Sequence, residues 1–170
     1  MKGTVILSHG LESGPNATKV SALAAVAQAL GWTSVRPDYL DIDARKDARA
    51  IDARIARTLS HVPAQGRVVF GGSSMGAFAS GFASLETPCV GLFLLALPLE
   101  IPDYWRRFAA ADVPTALVHG WRDELCPVEA AIDFARAHGA VLHLVDDDHR
   151  LGAHVDFCAG MFRRFLVELG

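Results

Sequence analysis

The sequence alternates short apolar runs with longer amphipathic segments. The short runs are rich in Val, Ile, Leu and Phe and carry few charges, as expected for strands that are buried on both faces of a parallel sheet. The longer segments place apolar residues at helical spacing, for example Ile51, Ile55 and Leu59 on one face. The apolar runs are Thr4–Ser8, Ser34–Arg36, Arg67–Gly71, Cys89–Ala96, Pro114–His119 and Ala140–Val145.

This alternation predicts an α/β fold, because strand–helix repetition with right-handed crossovers builds an open sheet. We expect a predominantly parallel sheet of about six strands with helices on both faces. A chain of 170 residues is long enough for one domain with a real core, so we predict a single domain over residues 1–170. The first helix is expected from about Ala17 to Leu30 and the last from Val155 to Leu169.

Composition excludes several classes of protein. With 51% hydrophobic residues and a formal net charge of −3, the chain is neither disordered nor a dedicated nucleic-acid binder. The longest apolar stretch, Cys89–Leu97, is about half of the roughly 20 residues needed to cross a bilayer, so no membrane partner is predicted. Three cysteines without a CxxC pair argue against a disulfide framework and a zinc cluster, and a reducing cytoplasm is the default compartment. The N-terminus does not fit a signal peptide.

Side chains able to do chemistry follow four of the apolar runs. In an open parallel sheet the ligand site lies beyond the carboxyl ends of the strands. The sequence therefore predicts a functional site where these turns meet. They are Ser8–Gly10 after the first run, Gly72–Ser74 after the third, His119 with Asp123 after the fifth, and Asp148–His149 after the sixth.

The turn after the third run has the pattern G-x-S-x-G over Gly72–Gly76. Because it joins an apolar strand to a helix-compatible segment, it is typical of a sharp turn that exposes the central serine, Ser74. Such a turn also places the amide of Met75 at a helix N-terminus. The alternative interpretation is a glycine-rich turn with a solvated serine.

A serine hydroxyl needs a base to become a nucleophile. Among the seven histidines, His149 follows the final strand in a loop that can reach Ser74, and His154 is the alternative. Asp123 lies in the loop after the fifth strand and can orient an imidazole. The acidic run 146–148 beside His149 is an alternative source of that acid.

The chain resembles the α/β-hydrolase fold superfamily, specifically its small members without a lid domain. The resemblance lies in four motifs: Ser8–Gly10, Gly72–Gly76, His119-Gly120-x-x-Asp123-x-x-Pro127 and Asp148–Leu151. It implies a minimal α/β-hydrolase fold, and nothing in the sequence indicates a metal or organic cofactor. It also implies that Ser74 is the nucleophile, His149 the general acid/base and Asp123 the orienting acid. The backbone amides of Leu11 and Met75 would form the oxyanion hole.

The predicted function is hydrolysis of small carboxylic esters or thioesters through an acyl-enzyme. The alternatives are an acyltransferase that uses the same three residues and a non-catalytic binding protein with this fold. The segment Leu97–Asp112 has room for a short helix but not for a lid, so we expect an open, shallow site. The predicted partner is a small-molecule ester, bound by a monomer or homodimer. Candidate substrate contacts are Leu97, Tyr104, Trp105, Glu12 and Arg150.

Overall fold

The computed structural model describes residues 2–170 and contains one sheet of six strands. All neighbouring strands pair in parallel, in the order β2-β1-β3-β4-β5-β6. The predicted open parallel sheet is therefore confirmed. The strands are β1 Thr4–Ser8, β2 Thr33–Val35, β3 Val68–Ser73, β4 Gly91–Leu95, β5 Thr115–Gly120 and β6 Val141–Val145.

Helices cover both faces of the sheet. Helices α1 and α6 pack on one face, and α3, α4 and α5 lie on the other. Among residues 2–170, no helix combines the length and the hydrophobicity that crossing a bilayer requires. The helices are α1 Thr18–Ala29, α2 Leu40–Asp43, α3 Ala50–Ser60, α4 Met75–Glu86, α5 Val128–His138 and α6 Val155–Glu168, with a 3₁₀ turn over Gly152–His154.

The core explains why the strands are continuously apolar. In β1, Val5 and Leu7 point into the layer formed with α1 and α6, whereas Ile6 points into the layer formed with α4 and α5. All three residues are fully buried. A strand between two helical layers must be apolar at every position, because its alternating side chains all leave water.

The strand order creates a crevice between β1 and β3. From β1 the chain runs outward to the edge strand β2 and then returns to β3 on the other side of β1. The loops after β1 and β3 therefore diverge at the carboxyl end of the sheet, which is where ligands bind in open α/β sheets. These are the loops that carry Ser8–Gly10 and Ser74.

The segment Leu97–Asp112, which has room for a short helix, contains turns but no helix. Pro98 and Pro102 have no N–H to donate to a helical ladder. Instead, the Phe108 N–H donates to the carbonyl of Leu99 at 2.9 Å. The rings of Tyr104 and Phe108 pack against the phenylalanines of α4. The segment is held by this side-chain packing and follows the sheet without helical turns.

Candidate active site

Ser74 lies at the turn between β3 and α4 in a strained conformation, with φ 55° and ψ −120°. The turn fits under β1 because Gly76 has no side chain: a Cβ there would lie 2.1 Å from the carbonyl oxygen of Ser8. The Ser74 N–H donates to the carbonyl of Leu95 at 2.9 Å, and the Phe78 N–H donates to the Ser74 carbonyl at 3.0 Å. The serine is thus fixed at the carboxyl edge of the sheet.

This strain predicts a measurable effect on stability. We expect Ser74→Gly to unfold at a higher free energy than Ser74→Ala by about 1 kcal/mol, because glycine adopts a positive φ without a Cβ clash. Urea unfolding of the two variants measures the difference. Equal midpoints and slopes would show that the backbone at Ser74 stores no strain.

His149 joins Ser74 to Asp123 by two hydrogen bonds. Its Nδ1 lies 2.8 Å from Asp123 Oδ2 and its Nε2 lies 2.8 Å from Ser74 Oγ. Because an ionised carboxylate only accepts, the proton is on Nδ1, which leaves the Nε2 lone pair to accept from the serine hydroxyl. The structure thus brings the three predicted residues into one continuous chain of hydrogen bonds.

Asp123 is a buried carboxylate surrounded by donors. Its Oδ1 accepts the N–H groups of Leu125 and Cys126 at 2.9 and 2.8 Å, and its Oδ2 also lies 3.3 Å from His119 Nε2. Burial by itself would raise the pKa of Asp123. The hydrogen bonds from His149 and from the Cys126 N–H outweigh burial and lower this pKa below its ordinary value. The group is therefore ionised at neutral pH.

Metal ligation is a second chemistry that these atoms allow. Ligand atoms of Asp123, Cys126 and His149 lie within 4.8 Å of one another. Burial, followed by the charge of Asp123, raises the pKa of the Cys126 thiol to about 12. Since metals bind the thiolate, a thiol that stays protonated at neutral pH is a weak ligand. The hydrogen bonds to Ser74 and Asp123 already use both nitrogens of His149.

The turn that carries His149 is held by Asp147. Its Oδ2 accepts from His154 Nδ1 at 2.9 Å and from the Ala153 N–H at 3.0 Å, while Oδ1 accepts the Asp148 N–H at 2.8 Å. The two alternatives left open by the sequence thus bond to each other: His154 pairs with an acidic residue of the run 146–148. Asp148 accepts the N–H of Arg150.

Comparison with known proteins identifies the family. A protein from Xanthomonas campestris pv. campestris, described as a member of the alpha/beta superfamily of hydrolases, is 44% identical to this chain. The match covers 98% of this chain and 99% of that protein, with a TM-score of 0.94. The chain belongs to the α/β hydrolase superfamily. A search of the sequence against protein-family models gave no match, and neither did a search against curated proteins.

More distant hydrolases of this superfamily share the fold. An α/β serine hydrolase without a lid, also from X. campestris, is 20% identical, covers 98% of this chain and 82% of its own, and has a TM-score of 0.72. The thioesterase domain of the curacin biosynthetic pathway is 17% identical, covers 97% and 91%, and has a TM-score of 0.71. At these identities the likeness shows the fold alone.

The loop after β1 lies directly against the Ser74 turn. A Cβ added to Gly10 would lie 3.5 Å from Ser74 Cβ and 3.3 Å from the Ser73 carbonyl oxygen. Leu11 follows in this loop, and Met75 is the first residue of α4. Neither of their backbone N–H groups donates to any residue within the described range 2–170. Each of the two segments next to Ser74 therefore offers an unpaired backbone donor.

The predicted substrate contacts separate into two groups. Glu12 and Arg150 line a cavity of about 850 Å³ that also contains Ser74 and His149. The other three, Leu97, Tyr104 and Trp105, line an adjacent cavity of about 670 Å³. Leu97 is 2% exposed, and the Tyr104 hydroxyl donates to Asp52, so both belong to the packed layer beside α4. Trp105 is 79% exposed at the surface.

Two polar residues that the sequence did not single out, Lys19 and Arg54, also shape the site, together with His119 near the end of β5. Lys19 lines the cavity beside Ser74 and donates to the carbonyl of Arg150. His119 is fully buried against Asp123 and donates from Nε2 to the Cys126 carbonyl at 2.8 Å. Arg54 is 1% exposed beneath the loop after β1. For Arg54 a sequence signal exists, because it falls on the apolar face of α3, three residues after Ile51.

His9 makes the loop after β1 sensitive to acid. Burial, and then the charge of Arg54, lower the pKa of His9, although the Gly10 carbonyl and the charges of Asp43 and Asp38 oppose this shift. The unfolded chain therefore binds a proton at higher pH than the folded one, so the free energy of unfolding falls as the pH drops below about 6.5.

We expect His9→Gln to lose this part of the pH dependence. Unfolding free energies measured in urea between pH 5 and 7.5 for both proteins give the difference in slope. His143 and the other titrating groups are present in both proteins and cancel in the comparison. Identical slopes would contradict the assignment to His9.

Proposed function

We propose that this α/β hydrolase cleaves small carboxylic esters or thioesters through a Ser74 acyl-enzyme. The observation that carries the proposal is the chain of two 2.8 Å hydrogen bonds from Ser74 through His149 to Asp123. Nucleophile and base are within proton-transfer distance, and the base is oriented by a buried carboxylate. Cytoplasmic location stays a default prediction.

In the proposed first step, Ser74 Oγ attacks the carbonyl carbon of the ester while His149 Nε2 takes the hydroxyl proton. The resulting imidazolium is stabilised by Asp123 and then donates its proton to the leaving alcohol or thiol. In the second step a water molecule attacks the acyl-enzyme, with His149 again accepting the proton. The acid leaves and Ser74 regains its hydrogen.

Both steps place negative charge on the substrate oxygen. The N–H groups of Leu11 and Met75 are unpaired and belong to the two segments next to Ser74, and we assign them as the two donors to this oxyanion. The Met75 N–H also lies at the start of α4, where the helix dipole favours an anion. Such donors speed catalysis because they are fixed before the charge develops.

The charges around the cavity support a neutral substrate. Lys19 and Arg150 contribute two positive groups, whereas Glu12 and Glu100 contribute two negative ones. These charges balance, so the cavity does not select a strongly charged acyl group. Pro98 and Ile101 supply an apolar wall. The segment Leu97–Asp112 is too short to form a lid, so the site stays open to solvent, which favours short or flexible esters.

Labelling with a fluorophosphonate tests the proposal, because it reacts with an activated serine and releases fluoride. We expect stoichiometric labelling of the wild type at Ser74, together with turnover of p-nitrophenyl esters that declines as the acyl chain lengthens. Absence of labelling and turnover would favour a binding protein. Labelling with turnover only when an added alcohol accepts the acyl group would favour an acyltransferase.

A further inference from the structure

A buried arginine lies beneath the loop that carries Leu11. Arg54 projects from α3, is 1% exposed, and donates from Nη1 to the His9 carbonyl at 2.8 Å and from Nη2 to the Gly10 carbonyl at 3.3 Å. Its Nε and Nη2 also donate to the two carboxylate oxygens of Asp43, at 2.7 and 2.5 Å. The guanidinium carbon lies 4.5 Å from the centroid of the Tyr39 ring. The orientation of the Arg54 guanidinium is therefore fixed by the two carbonyls, by Asp43 and by the Tyr39 ring.

The Gly10 carbonyl belongs to the same peptide unit as the Leu11 N–H. The peptide is planar and trans, so the N–H points opposite to the carbonyl oxygen. Any donor that fixes this oxygen also fixes the direction of the Leu11 N–H. Arg54 lies on the oxygen side of the unit, and Ser74 lies close to the Gly10 backbone.

His9 binds the same oxygen from a second direction. The Tyr39 N–H donates to His9 Nε2 at 3.2 Å, so the ring proton is on Nδ1, which donates to the Gly10 carbonyl at 2.8 Å. Two donors thus converge on the partly buried carbonyl of Gly10. Hydrogen bonds to a carbonyl also polarise its peptide and strengthen the N–H as a donor.

We propose that Arg54, held by Asp43, is a positioning residue that aims the Leu11 N–H at the oxyanion of the reaction. This inference rests on the proposed function, since it requires the Leu11 amide to be an oxyanion donor. Arg54 acts through the loop and does not touch the substrate. The desolvation free energy of the buried Arg54 cation is offset by its interactions with Asp43 and with the two carbonyls.

The variants Arg54→Met and Arg54→Lys test this inference with p-nitrophenyl acetate as the substrate. Loss of an oxyanion donor lowers kcat by about 10²–10³, and a misdirected donor should lose part of that, about 10-fold or more for Arg54→Met. Both chemical steps pass through an oxyanion, so kcat should fall with little change in KM. Lysine keeps one cationic donor and should restore part of the rate.

Two measurements separate positioning from a general loss of structure. Titration with a fluorophosphonate counts active sites, so that unfolded molecules do not enter kcat. Ser74 Oγ adds to the carbonyl of a trifluoromethyl ketone inhibitor and forms an oxyanion. The inhibition constant of this ketone should rise by the factor by which kcat/KM falls. A merely structural role would leave this constant unchanged in the molecules that still fold.

Tyr39→Phe is the matched control. It removes a hydroxyl that bonds to Ser8 Oγ at 2.8 Å and to Thr58 Oγ1 at 2.7 Å in the same buried cluster, but it leaves the bonds of Arg54 in place. We expect lower stability with unchanged kcat. If Arg54→Met does not fold, Arg54→Lys and Asp43→Asn carry the test. Unchanged kcat and inhibitor binding per active site in these variants would overturn the inference, whereas an inactive wild type would contradict the proposed function itself.

Discussion

Ser74→Ala is expected to reduce kcat for p-nitrophenyl acetate by about 10⁶, the scale measured when a hydrolase loses its nucleophile. The substitution deletes the oxygen that lies 2.8 Å from His149 Nε2 and leaves the base without a proton to accept. Alanine keeps the Cβ of serine and the same strained backbone, so the fold should not change. Steady-state release of p-nitrophenol, with circular dichroism as the measure of folding, checks both statements.

Ser80→Ala is the control for Ser74→Ala. Ser80 is a fully buried serine of α4 whose hydroxyl donates to the Gly71 carbonyl at 3.1 Å, beneath the site and away from the substrate. Its loss should lower stability without changing kcat. If Ser74→Ala retained wild-type hydrolysis, Ser74 would not be the nucleophile, and a water-activating role for His149 would have to be considered instead.

Asp123→Asn is expected to lower kcat by about 10⁴, the scale known for a serine hydrolase whose histidine is held in the wrong tautomer. The N–H groups of Leu125 and Cys126 donate to Oδ1, so the asparagine oxygen must take that position. The amide nitrogen then faces His149 Nδ1 and donates to it. The imidazole proton moves to Nε2, and the protonated Nε2 can no longer accept the hydroxyl proton of Ser74.

The control for Asp123→Asn is Asp133→Asn, an exposed aspartate on α5 that pairs with Arg136. It changes the net charge by the same amount and should leave kcat unchanged. Crystal structures of Asp123→Asn and wild type would give the positions of the three side chains. Activity within tenfold of wild type in Asp123→Asn would mean that the carboxylate is not needed to orient the base.

The fold was predictable because its strands are buried on both sides. All six apolar runs overlap their strands, and β1 coincides with Thr4–Ser8. The three residues of the site could be selected because each follows a strand, and parallel strands end at the same edge of the sheet. Their hydrogen-bond geometry depends on how far the loops bend, which the sequence pattern does not contain.

The residues that support the site were harder to find. Arg54 is a charged residue on the apolar face of α3. The pattern of α3 alone does not reveal a buried arginine, because its partner Asp43 belongs to a different helix, α2. The length of Leu97–Asp112 shows only that it cannot form a lid. Its path is set by the side chains of Tyr104 and Phe108, which pack on α4. In both cases tertiary contacts outweigh the local pattern.

The packing of Leu97–Asp112 has a consequence for how this architecture can acquire new substrate ranges. The segment is anchored on either side by Leu97 and Phe108, while its outermost turn near Asp103 and Trp105 faces water. Extra residues grafted into that turn would add about 0.6 kcal/mol of closure entropy for each doubling of loop length. Evolution or a protein engineer could thus build a lid over the active site in small steps and leave the parallel sheet below unaltered.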